Sequence, residues 1–110
     1  MLHRSCVSGR LVLSAVPLIP GLRDLAKTGV PAGSRANLQY VGNKMSWAGE
    51  ITEEEKLILA DAQTSGGLLI AVAQDKLDTL MAGLAARGVE TRAVIGEVTE
   101  GAGGNISVVG

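Results

Sequence analysis

Four stretches of the chain have the apolar, aliphatic character of β-strands. Residues 10–16 form a short run rich in Leu and Val that Pro17 closes, as expected of a strand that a proline ends. Residues 68–73 are all apolar, a pattern typical of a central strand covered on both faces. Residues 91–98 and 105–109 predict two further strands, which a glycine-rich turn joins.

Two short helices are predicted after the first strand. Residues 20–29 begin with a proline, which suits the first turn of a helix, and finish with a glycine, which suits its end. Residues 31–41 predict a second helix with Ser34 as a candidate N-cap. Residues 42–49 show no clear period and predict a surface loop that Trp47 pins down.

Two more helices have clearer boundaries. Thr52 and Glu55 have the spacing of a capping box, in which each side chain binds the backbone N–H of the other residue, so a helix is predicted over residues 53–60. Apolar residues at intervals of three and four predict another helix between residues 74 and 87, with Gly88 as its stop. The apolar face of that helix, which we expect to lie in the core, consists of Leu77, Leu80, Met81 and Leu84.

The order of these elements is strand, two or three helices, strand, helix, strand, strand. A strand, a helix and a strand in succession near the middle of the chain favour at least one right-handed crossover. The pattern therefore predicts an α+β fold, a layered α/β sandwich with a mixed sheet. A length of 110 residues fits one domain, so residues 1–110 are expected to fold as a single unit.

The charge balance argues against nucleic acid and membrane surfaces as partners. Lys and Arg together number 10, Asp and Glu number 11, and the formal net charge is -1. Without a block of positive charge, binding to nucleic acid or to an acidic membrane lacks its usual driving force. Aromatic residues make up 2% of the chain, so few rings are present on which single-stranded nucleic acid could stack.

Cysteine usage points to a reducing compartment. Cys6 is the single cysteine and cannot form an intramolecular disulfide, and no Cys/His cluster has the spacing of a zinc site. No apolar run approaches the ~20 residues of a membrane span. Residues 1–6 are too polar for the apolar region of a signal peptide. We therefore expect a cytoplasmic location.

The least generic stretch of the chain is Asp61–Ile70, which contains the turn Thr64–Gly67 with the sequence Thr-Ser-Gly-Gly. This turn offers two hydroxyl groups and backbone N–H groups that glycine leaves uncovered, an arrangement that suits a phosphate. The turn leads into a predicted strand rather than a helix, so the helix dipole of a P-loop is absent. A tight turn between two domains is the alternative interpretation.

A longer stretch around this turn resembles a known family. Asp61–Ile70, together with Ile95–Val98, is similar to the C-terminal domain of selenophosphate synthetase (selenide, water dikinase), where the signature Asp-Pro-Gln-Thr-Ser-Gly-Gly-Leu-Leu is typical. Ala62 stands where that signature has proline. Residues 17–21 and 33–37 resemble the family's Pro-rich helix entry and its Gly-Ser/Thr-Arg-x-Asn segment. The resemblance implies the C-terminal domain type of the aminoimidazole ribonucleotide synthetase superfamily.

The resemblance implies an ATP-dependent enzyme that converts selenide, ATP and water to selenophosphate, AMP and phosphate. ATP and magnesium are the implied cofactors of the full-length enzyme, and none is expected to bind to this chain alone. In the family the nucleophile, its neighbouring lysine and the metal-binding aspartates belong to an N-terminal ATP-binding domain, and the full-length enzyme is a homodimer. The chain is thus expected to be a C-terminal fragment that starts within its first helix, has no catalytic or metal-binding residue and is inactive alone.

The candidate binding residues lie in the two segments that resemble the family. Arg35 suits phosphate or carboxylate, and we expect Arg35 and Asn37 either to face the missing N-terminal domain or to anchor a loop by a structural hydrogen bond. Asp61 is expected either to cap the turn or to line the cleft between domains. Cys6 is interpreted as a packing residue or an inert thiol rather than as the nucleophile. The full candidate set is Arg35, Asn37, Asp61, Thr64, Ser65, Gly66 and Gly67.

Two other interpretations compete with an enzyme domain of this kind. One is a stand-alone binding or interaction module that keeps the fold without the chemistry. The other is a related member of the same superfamily, such as the phosphoribosyl-amidine cyclase, which the string Gln63–Gly67 disfavours.

Overall fold

The computed structural model describes residues 1–110, which form a four-stranded sheet and four α-helices. The strands are β1 (Ser8–Val12), β2 (Met45–Trp47), β3 (Gly96–Thr99) and β4 (Ile106–Val109). The helices are α1 (Leu22–Thr28), α2 (Ala32–Val41), α3 (Glu53–Leu59) and α4 (Leu77–Ala86). Short 3-10 helices occur at Leu13–Ala15, Gly42–Lys44 and Gln74–Lys76. None of the helices combines the length and the apolar composition that crossing a membrane requires.

The sheet has the strand order β2-β4-β1-β3 and is mixed. β4 runs parallel to both of its neighbours, with Val108 opposite Leu11 of β1 and Trp47 of β2. β3 pairs with β1 in the antiparallel sense, with Gly96 opposite Leu11. The predicted α+β fold with a mixed sheet is therefore confirmed.

The core is built around the middle of β4. Val108 is 1% exposed and clusters with Leu13 and Ile51, which are also buried. Burial of aliphatic side chains is the main force that holds such a cluster together. The half-buried side chains around it are Leu11, Met45, Trp47, Ala48, Leu59 and Ile106. Because Ile51 lies just before α3, the cluster fixes where α3 starts relative to the sheet.

The first three helices pack together through α3. This helix contacts both α1 and α2, and Ala26 of α1 and Leu57 of α3 are buried. An ion pair between Arg23 and Glu55 joins α1 to α3. The predicted capping box is confirmed, since the Thr52 hydroxyl accepts from the Glu55 N–H at 3.3 Å and the Glu55 carboxylate accepts from the Thr52 N–H at 3.1 Å.

Three predicted boundaries differ from the structure. β1 ends at Val12, and a 3-10 helix replaces the rest of the strand that was expected over residues 10–16. The predicted loop 42–49 contains β2, because β4 offers this short segment an edge with which to pair. Of the predicted strand 91–98, only the last part belongs to the sheet, as the start of β3.

The prediction of a central strand over residues 68–73 is wrong. These residues form neither a strand nor a helix and pair with no other segment. β4 and β1 occupy the centre of the sheet instead, and the Leu68 side chain is 91% exposed. An apolar run shows a tendency to form a strand, but a strand also needs a neighbour with free N–H and C=O groups. No such neighbour lies beside this run.

The helix predicted between residues 74 and 87 is confirmed as α4, but its apolar face is not part of the core. No residue of α4 is buried. The four residues expected in the core, Leu77, Leu80, Met81 and Leu84, are half-buried. The spacing of the apolar residues predicts the helix correctly. The burial of its apolar face, however, requires packing against the sheet, and α4 does not pack against the sheet.

Candidate functional site

The start of the signature Asp61–Gly67 is anchored on α2. The Ser34 Oγ donates a hydrogen bond to Asp61 Oδ1 at 2.7 Å, and Ser34 is fully buried. A hydroxyl bound to a carboxylate makes a charge-assisted hydrogen bond, which is stronger than one between neutral groups. The prediction of Ser34 as the N-cap of α2 is wrong, because Pro31 occupies that position and Ser34 lies in the first turn, bound to Asp61.

Two further contacts from α2 flank this hydrogen bond. Asn37 Nδ2 donates to the Ala60 carbonyl oxygen at 3.0 Å. Gly33 lies so close to Ala62 that a Cβ on it would be 3.1 Å from the Cβ of Ala62, so a larger residue at position 33 would require a small shift of one segment. Residues 33 and 34 each lie next to residue 37 on the surface of α2, and together the three contact the consecutive residues 60–62.

The turn Thr64–Gly67 is exposed to solvent. Thr64 and Ser65 form a bend. The backbone N–H groups of residues 62–67 donate to no acceptor in the chain, and the two hydroxyls have no hydrogen-bond partner in it. Successive exposed N–H groups of this kind can bind an anion.

Arg35 is exposed and takes part in no ion pair. At about 100° per residue, Arg35 lies about 160° around the axis of α2 from both Gly33 and Asn37, so it is not part of the surface that contacts residues 60–62. The structure thus brings Asn37 and Asp61 together through Ser34 and the end of α3. It leaves Arg35 and the turn residues Thr64, Ser65, Gly66 and Gly67 open to solvent.

Glu55 lies on α3, the helix that ends just before Asp61. The hydrogen bond from Arg23, and after it the hydrogen bond from the Thr52 backbone, hold the pKa of Glu55 below its ordinary value of 4.5. The carboxylate is therefore ionised at neutral pH and keeps α1 attached to α3. The ion pair between Arg23 and Glu55 stabilises α3, the helix that directly precedes the signature.

The His, Cys, Asp and Glu side chains of this chain are dispersed. No three His, Cys, Asp or Glu residues lie close enough together to hold a metal ion. Cys6 is exposed in the turns before β1 and lies beside Gly103, in the loop before β4.

Ser34 is the residue whose role sequence reasoning missed. Its bond to Asp61 joins positions 27 residues apart, which the period of a single helix cannot reveal. A signal was nevertheless present in the sequence. Ser34 and Asn37 belong to segment 33–37, which resembles the same family as the signature, so a contact between the two segments was a reasonable expectation.

Residues 20–109 match the family described as AIR synthase related protein, C-terminal domain. The chain belongs to this family. The region that the AIR synthase related C-terminal domain covers begins after β1 and contains the other three strands and all four helices. It therefore includes both α2 and the signature that α2 holds.

Several proteins named selenide, water dikinase are similar to this AIR synthase related domain. The protein of Carboxydothermus hydrogenoformans is 46% identical over 90 residues, which cover 81% of this chain and 26% of the relative. That of Pelobacter propionicus is 38% identical over 92 residues, 83% of this chain and 26% of the relative. That of Escherichia coli strain K12 is 38% identical over 103 residues, 93% of this chain and 28% of the relative.

The chain spans about a quarter of the length of these relatives. The resemblance to the C-terminal domain of selenophosphate synthetase is confirmed by the family match and by these relatives together.

Proposed function

We propose that this domain works as the C-terminal part of a selenide, water dikinase, together with an N-terminal ATP-binding domain. In the whole enzyme, selenide, ATP and water give selenophosphate, AMP and phosphate. The support is the similarity to proteins of that name, which this chain matches over about a quarter of their length. The homodimer that the resemblance implies and the cytoplasmic location that the cysteine usage predicts belong to the same proposal.

Within that enzyme, the Thr64–Gly67 turn binds phosphate oxygens at the surface that meets the N-terminal domain, and Arg35, on another face of α2, is a separate candidate contact. The observation that carries this role is the set of exposed N–H groups in residues 62–67 that have no acceptor in the chain. Such groups, next to two hydroxyls, form the kind of cradle that holds an anion. Arg35 adds a guanidinium, whose fork of N–H donors matches phosphate oxygens.

ATP and magnesium fit this chain to different degrees. The phosphates of ATP suit the open donors of the turn, and ATP when bound supplies the phosphoryl group that is transferred. Magnesium takes an octahedral set of oxygen ligands, and this chain has no carboxylate cluster that supplies one. The protein ligands of magnesium therefore belong to the N-terminal domain in this proposal, and the domain alone is inactive.

A chimera tests the assignment to this enzyme. The chain replaces the matching region of the Carboxydothermus hydrogenoformans relative, and selenide-dependent release of AMP from ATP is measured. We expect AMP from the chimera and none from the isolated chain. AMP release by the isolated chain would disprove its inactivity, and a folded chimera without AMP release would favour the stand-alone binding module instead.

Amide NMR of the isolated chain tests the phosphate role. Inorganic phosphate, AMP and ATP are titrated to millimolar concentration, and we expect the amide resonances of Ser65, Gly66 and Gly67 to shift. Ser65→Ala, which removes a hydroxyl of the turn, should weaken the binding, whereas Lys44→Ala, which removes an exposed cation outside the turn, should not. Turn resonances that stay in place with all three ligands would rule out the phosphate role.

A further inference from the structure

Three residues of α2, Gly33, Ser34 and Asn37, hold the start of the signature and are here called the α2 clamp. Beyond the clamp, residues 62–72 neither donate nor accept a backbone hydrogen bond, and all of them are exposed. Between α3 and residue 72, no backbone hydrogen bond therefore holds the Thr64–Gly67 turn in place. The conformation of the turn depends on how the clamp holds residues 60–62.

We propose that Ser34 and Asn37 are positioning residues that order the Thr64–Gly67 turn for a phosphate ligand. Ser34 acts through the Asp61 carboxylate, and Asn37 acts through the Ala60 carbonyl oxygen. The identity of the ligand rests on the proposed function, whereas the ordering of the turn stands on the geometry of the clamp alone.

The burial of Ser34 is what makes this hydrogen bond decisive. Without the hydroxyl, the half-buried Asp61 carboxylate would lose its donor inside the protein, and a charged group in that position recovers hydrogen bonds by turning toward water. Asp61 is covalently joined to Ala62, which packs beside Gly33. A displaced Asp61 therefore carries the start of the turn away from α2.

The two glycines of the turn make its order sensitive to this anchor. Gly66 and Gly67 have the greatest backbone freedom of any residue type, and a ligand that orders them must offset the loss of that freedom. A turn whose start is already held loses less freedom on binding and so binds more tightly. The clamp thus acts by preorganisation and needs no contact with the ligand.

The first experiment measures order in the free protein. Heteronuclear NOE values of the Thr64–Gly67 amides are compared in the unaltered chain, in Ser34→Ala and in Asp61→Asn, which keeps an acceptor oxygen for the Ser34 hydroxyl. Thr28→Ala is the matched control, because it removes a hydroxyl that donates at 2.7 Å to the Leu25 carbonyl on α1. We expect lower values in Ser34→Ala only.

The second experiment adds inorganic phosphate to the same proteins. We expect the dissociation constant to rise roughly three- to tenfold in Ser34→Ala, in line with the cost of ordering a few residues on binding, and to stay unchanged in Thr28→Ala. A loss of overall stability without greater mobility of the turn would be a purely structural effect and would overturn the proposal. Equal NOE values in Ser34→Ala and the unaltered chain would overturn it as well.

A second variant keeps the test valid if Ser34→Ala does not fold. Asn37 is exposed, so Asn37→Ala removes one arm of the clamp with little risk to the core, and it should lower the NOE values of the turn in a folded protein. Unchanged values there would contradict the proposal. Greater mobility in the clamp variants, together with no response of the unaltered chain to phosphate, would support the positioning role and refute the phosphate site.

Discussion

Gly96 lets β3 approach β1 more closely than a residue with a side chain would. It lies opposite Leu11, and a Cβ on it would overlap the carbonyl oxygen of Arg10 and come within 3.0 Å of the Leu11 Cα. Both are backbone atoms, which cannot turn aside as the end of a flexible side chain can. At the scale of one residue, the absent side chain sets the spacing of two strands.

We expect Gly96→Ala to lower the free energy of unfolding by about 1–3 kcal/mol, the usual cost of forcing extra atoms into a packed site. Chemical denaturation followed by circular dichroism measures the change. Gly49→Ala is the control, because no heavy atom lies within 4 Å of the position of its Cβ. Equal stability of the two variants would argue against the close approach of the strands.

Glu55 couples the packing of α1 on α3 to the pH. Its pKa in the folded chain is lowered, chiefly by the hydrogen bond from Arg23. A carboxyl whose pKa is lower in the folded than in the unfolded state adds stability above its unfolded pKa. That contribution is lost as the pH falls through the folded pKa.

We expect the free energy of unfolding to decrease as the pH falls below 4.5, which is the ordinary pKa of Glu55. Glu55→Gln should make this decrease smaller. Glutamine keeps the acceptor that the capping box needs but does not titrate. Denaturation curves over a range of pH give the comparison, with Glu54→Gln on the exposed side of the same turn as control. A difference between Glu55→Gln and the unaltered chain that is the same at every pH would show that the linkage is absent.

At the scale of elements, local signals predicted helices better than strands. The capping box of α3 and the leucine period of α4 each lie within one segment, so a single stretch of sequence contains the whole signal. A strand depends on a partner elsewhere. Residues 68–73 have the composition of a strand but no partner, whereas β2 has little apolar pattern and pairs with β4.

The candidate site was predictable in a similarly uneven way. Family resemblance located both the signature and segment 33–37, and the Thr-Ser-Gly-Gly composition correctly indicated an exposed turn rich in donors. The particular bond from Ser34 to Asp61 was not predictable from either segment alone, because it depends on the packing of α2 against α3. A serine near the start of a helix was therefore interpreted as its cap.

We expect Thr52→Ala to destabilise the chain by about 1 kcal/mol, the typical value for the loss of an N-cap side chain. The hydroxyl of Thr52 satisfies the Glu55 N–H at the start of α3, and α3 connects α1, α2 and the sheet core. Thermal and chemical unfolding measure the change. Thr79→Ala, on the exposed side of α4, removes a similar hydroxyl without a cap, and an equal loss there would contradict the importance of the capping box.

At the scale of the whole molecule, the chain is more open than its length requires. Its accessible surface is 7944 Å², against roughly 5,700 Å² for a compact protein of this mass. Its radius of gyration is 14.9 Å, against roughly 13 Å. None of residues 62–95 is buried, so this part of the chain, with α4 and the apolar run 68–73, contributes to the openness.

We expect the apolar run 68–73 to make the isolated chain self-associate as its concentration rises, because exposed apolar segments favour contact with other protein surfaces. Residues 62–74 carry no charge, so no like-charge repulsion within the segment opposes contact between two copies. Sedimentation velocity at increasing concentration measures the association. Leu68→Asp, at a side chain that is 91% exposed, should shift the chain toward the monomer, whereas Ile19→Asp, at an isoleucine that is 76% exposed before α1, should not. An equal response of the two variants would mean that added negative charge disrupts association wherever it is placed. A chain that stays monomeric at every concentration would show that the run 68–73 does not drive association.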